Sequence, residues 1–137
     1  MDRESLIEAA RDAASRAYAP YSGFSVGAAL LTRDGKVYTG CNIENSSYSA
    51  TLCAERVAIS KAISAGERDL QAIAVVGGNG SRITPPCGVC RQVMSEFCDP
   101  ATFEIVLSDN GNVVSYTLAQ LLPLAFGAED ISDDDPS

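Results

Sequence analysis

The chain has 137 residues, 46% of them hydrophobic, with 10 basic and 18 acidic side chains and a formal net charge of -8. That length and apolar content suit one domain with its own core, and the acidic balance argues against a phosphate backbone as partner, because such affinity rests on Lys and Arg. Histidine is absent, which removes Ser-His-Asp triads, Cys-His nucleophile pairs and histidine-held metals together.

The charge leaves a small neutral or cationic substrate as the better fit. The amino terminus is an acidic amphipathic segment with none of the basic-then-apolar order of a secretory signal. No apolar run approaches the roughly 20 residues that cross a bilayer. The expectation is therefore a cytoplasmic protein that binds neither membrane nor nucleic acid, with its 5 cysteines serving as ligands and core residues rather than disulfides.

Asp2 is placed to cap a first helix in which Leu6, Ile7, Ala10, Ala13, Ala14 and Ala17 recur at helical spacing, and Pro20 bounds it. The stretch Tyr18 to Phe24 is an aromatic-rich loop broken by Pro20 and Gly23, and its Phe24 belongs either to the core or to a pocket mouth. An apolar strand over 25–32, a turn at Asp34-Gly35 and a return strand over 37–41 spell a hairpin. The following Cys41-Asn-Ile-Glu-Asn-Ser-Ser-Tyr48 is unusually polar for a segment leaving a buried strand. Asn42 and Glu44 are therefore candidates for hydrogen bonds to a polyhydroxyl ligand, with ordinary turn chemistry as the alternative.

A second helix is expected over 52–65, with Cys53 and Glu55 in its first turn and Gly66 ending it. Leu70 to Val76 is continuously apolar, which predicts a central strand. The loop Gly77-Gly-Asn-Gly80 lacks the Lys-Ser/Thr of a phosphate-binding loop and is assigned no chemistry. Pro85-Pro86 stiffens the approach to Cys87, and a third helix runs from about Gly88 to Phe97. Strands over 103–107 and 113–116 are joined by a link too short for a crossover, so they pair antiparallel. Thr117 caps a short helix to Leu122. The expected domain spans 1–127, and the acidic tail 128–137 has no periodic apolar face and is expected to be disordered.

Two stretches carry the chemistry: Cys53-Ala-Glu-Arg56 and Pro86-Cys-Gly-Val-Cys90. A catalytic zinc keeps three protein ligands and leaves its fourth position to water. Cys53, Cys87 and Cys90 supply three thiolates, and Glu55, two residues after the first, is a general base that need not be a ligand. Three thiolates overcompensate a divalent ion, so helix N-termini and the neighbouring Arg56 are expected to draw off charge. Weighed against this are a redox Cys-x-x-Cys pair and a closed structural zinc with Cys41 or Cys98 as fourth ligand. Tetrahedral sulfur and hydrolytic chemistry favour zinc over iron.

The blocks Phe24-Ser-Val-Gly-Ala-Ala29, Cys41-Asn-Ile-Glu-Asn45, Cys53-Ala-Glu-Arg56, Pro86-Cys-Gly-Val-Cys-Arg-Gln92 and Leu121-Leu-Pro-Leu-Ala-Phe126 resemble, in order, those of the small homotetrameric cytidine deaminases with an all-cysteine zinc site. The resemblance covers nearly the whole chain. It implies an α/β fold, a three-layer α/β/α sandwich with a five-stranded mixed sheet whose last two strands are antiparallel. It implies one zinc per subunit on Cys53, Cys87 and Cys90, and hydrolytic deamination of cytidine and deoxycytidine to uridine and deoxyuridine in pyrimidine salvage, with water activated on the zinc attacking C4 while Glu55 shuttles protons. By position, Asn42 and Glu44 fall on sugar contacts, Phe24 and Ala54 lie against the nucleoside, and Tyr48 and Phe126 reach the site of a neighbouring subunit in a homotetramer. Other readings are a deaminase of another aminopyrimidine such as blasticidin, against which the Asn42 and Glu44 pair argues, and a nucleic-acid-editing relative, against which the acidic charge argues.

Overall fold

The computed structural model describes residues 1–132. Four helices, α1 (Arg3–Ala14), α2 (Ala54–Ser64), α3 (Gly88–Phe97) and α4 (Leu118–Leu121), accompany five strands, β1 (Val26–Thr32), β2 (Val37–Cys41), β3 (Leu70–Gly77), β4 (Glu104–Asp109) and β5 (Asn112–Thr117). The strands form one mixed sheet in the order β2-β1-β3-β4-β5. Only β3 and β4 run parallel; the other pairs, including β4 with β5, are antiparallel. Helix α3 lies in the connection between the parallel pair, as a crossover requires.

Each face of the sheet has its own core. On one, Leu6, Ile7 and Ala10 of α1 pack on Ala29, Leu31, Ala74, Val76 and Val106. On the other, α2, α3 and α4 bring Ala58, Ile59, Met94 and Leu118 onto Leu30, Ile73, Val75 and Ile105. Burying a Leu or Ile side chain of this kind contributes about 2 kcal/mol. The three-layer α/β/α arrangement thus follows from strands that are apolar on both faces: six of the seven β1 residues and seven of the eight β3 residues are buried.

Local chemistry sets the element ends. Asp2 caps α1 by accepting from the Ser5 N–H at 2.7 Å. The apolar periodicity continues to Ala17, yet α1 stops at Ala14: the next three N–H groups reach back only three residues, to Asp12, Ala13 and Ala14, and the Ser15 hydroxyl also donates to the Asp12 carbonyl. Between β4 and β5 the link is the pair Asn110-Gly111, both at positive φ, the signature of a type I′ hairpin turn. Thr117 and Gln120 make a reciprocal capping box on α4. Residues 128–130 of the predicted tail form a single 3-10 turn, with Asp130 accepting from the Gly127 N–H; the disorder expected for 133–137 lies outside the described residues.

One contact in this frame seats the chemistry. A Cβ on Gly40 of β2 would stand 2.5 Å from the Ala54 carbonyl oxygen and 2.6 Å from the Ala58 N, so only glycine lets the start of α2 lie flat on the strand. Any side chain at position 40 would lift that helix end, and Cys53 and Glu55 with it.

Candidate active site

Helix α2 starts two residues later than the spacing suggests, at Ala54, which makes Cys53 its N-cap rather than a first-turn residue. Cys87 is likewise the N-cap of α3. Both have extended backbone and neither side chain caps its helix, so both sulfurs are free to face one another while backbone N–H groups and the helix dipole favour negative charge there. Cys90 follows in the first turn of α3 and is fully buried.

The sulfurs meet. Cys53 Sγ lies 3.8 Å from Cys87 Sγ, which lies 3.5 Å from Cys90 Sγ, and all three fall within 4.8 Å of one another. Sulfurs about 2.3 Å from a tetrahedral zinc would be about 3.8 Å apart, so the observed spacing fits that ion. Protonation tells the same story. A hydrogen bond from Cys90 above all, with Arg56 and Cys87 helping and burial opposing, lowers the Cys53 thiol to about 5. The same bond and burial push Cys90 upward, so one proton leaves readily and the next is held until a cation takes its place.

A fourth sulfur does not close the cradle. Among the described residues, neither Cys41 nor Cys98 joins the metal-ligating group, and burial raises the Cys98 thiol to about 12. The closed structural-zinc reading therefore lacks its fourth ligand, while the exposed Cys87 leaves the cluster reachable from solvent.

Glu55 stands beside the sulfurs, only 4% exposed. Burial first, and the neighbouring Cys53 charge after it, raise its carboxyl above the ordinary range, against the pull of its own backbone N–H and of Cys90. A carboxyl held in that state can both accept and release a proton. Arg56, the next residue, also reaches the sulfurs. Its Nη2 donates to the Thr51 carbonyl at 3.1 Å and to Cys53 Sγ at 3.6 Å, while its buried Nε has no hydrogen-bond partner among the described residues. That enclosed N–H is a donor in reserve beside sulfurs whose negative charge grows when a metal replaces their protons.

The residues expected around a substrate divide into tied and open groups. Asn42 is nearly buried; its side chain accepts from the Val26 N–H at 2.8 Å and donates to the Phe24 carbonyl at 2.9 Å. Glu44 accepts from the N–H groups of Tyr21 and Ser22 and from the Ser22 hydroxyl. Phe24 is half exposed, its ring lying over the backbone of Gly77 and Gly78. Glu44, Tyr48, Tyr21 and Ser22 border an open cleft of about 390 Å³. A larger hollow of about 680 Å³ lies beside Arg3 and Glu104 on the α1 face and holds none of these groups.

Ala54, the first residue of α2, is fully buried, and its carbonyl lies against Gly40 of β2. Tyr48 is 77% exposed, and its ring meets that of Tyr21 edge-on. Phe126 is 59% exposed and its carbonyl accepts from Gln92 Nε2 at 2.8 Å. Sequence reasoning assigned no task to Ser22, Arg91 or Gln92. Arg91 donates to the carbonyls of Pro86 and Leu121, each at 2.8 Å, so the helix that carries Cys90 also holds both flanking segments. The only signal for this was their position directly after the second cysteine pair.

An open thiolate cradle with a carboxyl alongside, at two helix starts over a mixed sheet, defines a zinc-dependent hydrolytic enzyme. Residues 1–105 match the family model described as the cytidine and deoxycytidylate deaminase zinc-binding region. The chain is 54% identical over 134 residues to the cytidine deaminase of Halalkalibacterium halodurans, covering 97% of this chain and 100% of that one. It is 50% identical over 132 residues to the cytidine deaminase of Sporosarcina psychrophila, covering 96% of each. The crystal structure of cytidine deaminase from Burkholderia pseudomallei superposes with a TM-score of 0.86 at 52% identity, covering 92% of this chain and 100% of that one. The chain belongs to the cytidine deaminase family, and zinc is its metal.

Proposed function

We infer that the protein hydrolyses cytidine and deoxycytidine to uridine and deoxyuridine with release of ammonia. The observation that carries this reading is the convergence of three sulfurs with the buried Glu55 carboxyl and, among the described residues, no fourth ligand. Cys53, Cys87 and Cys90 would hold the zinc, which when bound supplies a Lewis acid that makes water acidic enough to act as a nucleophile near neutral pH.

Glu55 does the proton work. As the water oxygen attacks C4, the carboxylate accepts the water proton and passes it to N3, which removes electron density from C4. It then takes the proton of the new C4 hydroxyl and gives it to the amine, which leaves as ammonia. N3 keeps the first proton, and C4 closes to the carbonyl of uridine. A carboxyl whose proton affinity is raised by burial suits both transfers.

Asn42 holds the start of β1 to the aromatic loop, Glu44 offers an acceptor to a sugar hydroxyl, and Phe24 lies along the nucleoside. Tyr48 and Phe126, left open on each chain, would complete the site of a neighbouring copy in a homotetramer. Such an enzyme belongs in the reducing cytoplasm, where its thiols survive, and serves pyrimidine salvage. Metal analysis together with incubation with cytidine tests the whole reading. About one zinc per chain and conversion to uridine support it; a metal-replete protein that leaves cytidine unchanged refutes it.

A further inference from the structure

We propose that Ser22 is a positioning residue for nucleoside binding: its hydroxyl joins Glu44 to Phe24 and aims the one carboxylate oxygen with capacity left for a ligand. This rests on the reading of Glu44 and Phe24 as nucleoside contacts. The Ser22 hydroxyl donates to Glu44 Oε2 at 2.5 Å and accepts from the Phe24 N–H at 3.0 Å. The other carboxylate oxygen, Oε1, accepts from the N–H groups of Tyr21 at 2.9 Å and Ser22 at 3.2 Å.

Each carboxylate oxygen accepts about two hydrogen bonds. Oε1 is therefore filled, and Oε2 has one acceptance left. A sugar hydroxyl must use that one, at the oxygen whose direction the Ser22 hydroxyl sets. The same hydroxyl holds the N–H of Phe24, whose carbonyl Asn42 holds from the other side and whose ring is seated on Gly77 and Gly78.

Replacing Ser22 by Ala leaves both backbone donors on Oε1, so the loop stays anchored. What is lost is the aim of Oε2 and the register of Phe24. The effect belongs to substrate affinity, not to the proton chemistry at Glu55.

Steady-state kinetics on zinc-loaded protein tests this. For Ser22→Ala the expected result is a rise of about tenfold in KM for cytidine, the scale of one hydrogen bond to a charged group, with kcat within about twofold of wild type. Ser22→Thr keeps the hydroxyl and is expected to restore KM to within about threefold. In a Glu44→Ala background the aim of Oε2 is already lost and only the Ser22 contact to the Phe24 N–H remains, so adding Ser22→Ala is expected to raise KM by only about threefold, less than in the wild-type background. An unchanged KM in Ser22→Ala, no restoration by Ser22→Thr, or losses that simply multiply in the double variant would each overturn the role of Ser22 while leaving the deaminase reading intact. Zinc-loaded wild-type protein without activity on cytidine would instead overturn that reading, and this proposal with it.

Discussion

The sulfur cradle and the recognition rim are built on opposite plans. In the cradle, the functional atoms sit at the first residues of helices whose bodies are packed in the core, and Cys90 and Glu55 are 0% and 4% exposed. In the rim, Phe24, Tyr48 and Phe126 are 46%, 77% and 59% exposed and belong to loops held largely by side-chain hydrogen bonds such as those of Glu44, Asn42 and Gln92. Metal binding and proton transfer require geometry held within about 0.5 Å, which core packing supplies. Recognition tolerates looser supports, and on this chain the Tyr48 and Phe126 rings stand open to solvent.

The sharpest division between the two regions is at Glu55. Glu55→Gln keeps the size and seat of the side chain and removes its ability to carry a proton. Turnover is expected to fall by about a thousandfold or more while zinc content stays at the wild-type level, measured by metal analysis beside a cytidine assay. Substantial remaining activity would mean that the proton carrier lies elsewhere. Loss of zinc would mean that the carboxyl is part of the cradle itself.

Arg56 comes next, because it touches the cradle without belonging to the reacting atoms. Its guanidinium is held by the Thr51 carbonyl and points at Cys53. Arg56→Ala is expected to reduce kcat by about 10-fold to 100-fold with zinc retained, the usual scale for a residue behind a metal ligand. Arg56→Lys keeps the charge but not the fork, and is expected to fall between the two. Equal activity of all three proteins would remove Arg56 from this role.

The two regions also differed in how far the sequence revealed them. The cysteine spacing and Glu55 were legible because metal chemistry admits few residue types, and with no histidine only sulfur and carboxylate remained. The sheet order around Leu70 to Val76 was legible because a strand apolar on both faces belongs in the middle. Helix ends were less so: the alanine periodicity ran past Ala14 to Ala17, and the hydrogen bonding of Ser15 and its neighbours, invisible to periodicity, ended α1 early. The rim was legible only in part. Asn42 and Glu44 stood out as polar residues after a buried strand, but their partners are the backbone of a loop some twenty residues earlier, a pairing that no local pattern encodes. Ser22 had no signal beyond lying in a breaker-rich loop, and Ala54, placed by resemblance alone, is buried at the start of α2.

Phe126 probes the rim from its open side. Gln92 holds its carbonyl from α3, so the ring projects from a fixed backbone into solvent. Phe126→Ala is expected to raise KM by about tenfold, a lost aromatic contact, with zinc content and kcat close to wild type. The assembly should be checked by light scattering in the same samples. A fall in kcat with zinc loss would show that rim and cradle are mechanically joined, and the contrast between them would fail.

Glu44 gives the smallest effect and the one most specific to the rim. The Ser22 hydroxyl first, then the Tyr21 and Ser22 N–H groups, hold its carboxyl below the ordinary range, against slight burial. A carboxylate with a lowered pKa in the folded state contributes stability that is fully present above its unfolded value, near 4.3, and is lost as pH falls through the lower folded value. Acid also protonates the cradle thiols and releases metal, but it does so equally in wild type and in Glu44→Gln. The difference in Tm between the two, followed from pH 7 downward, therefore isolates the clamp. It is expected to be small and constant to about pH 5 and to shrink towards zero below about pH 4; a gap that persists undiminished in acid would mean that the loop is held by something other than the charge on Glu44.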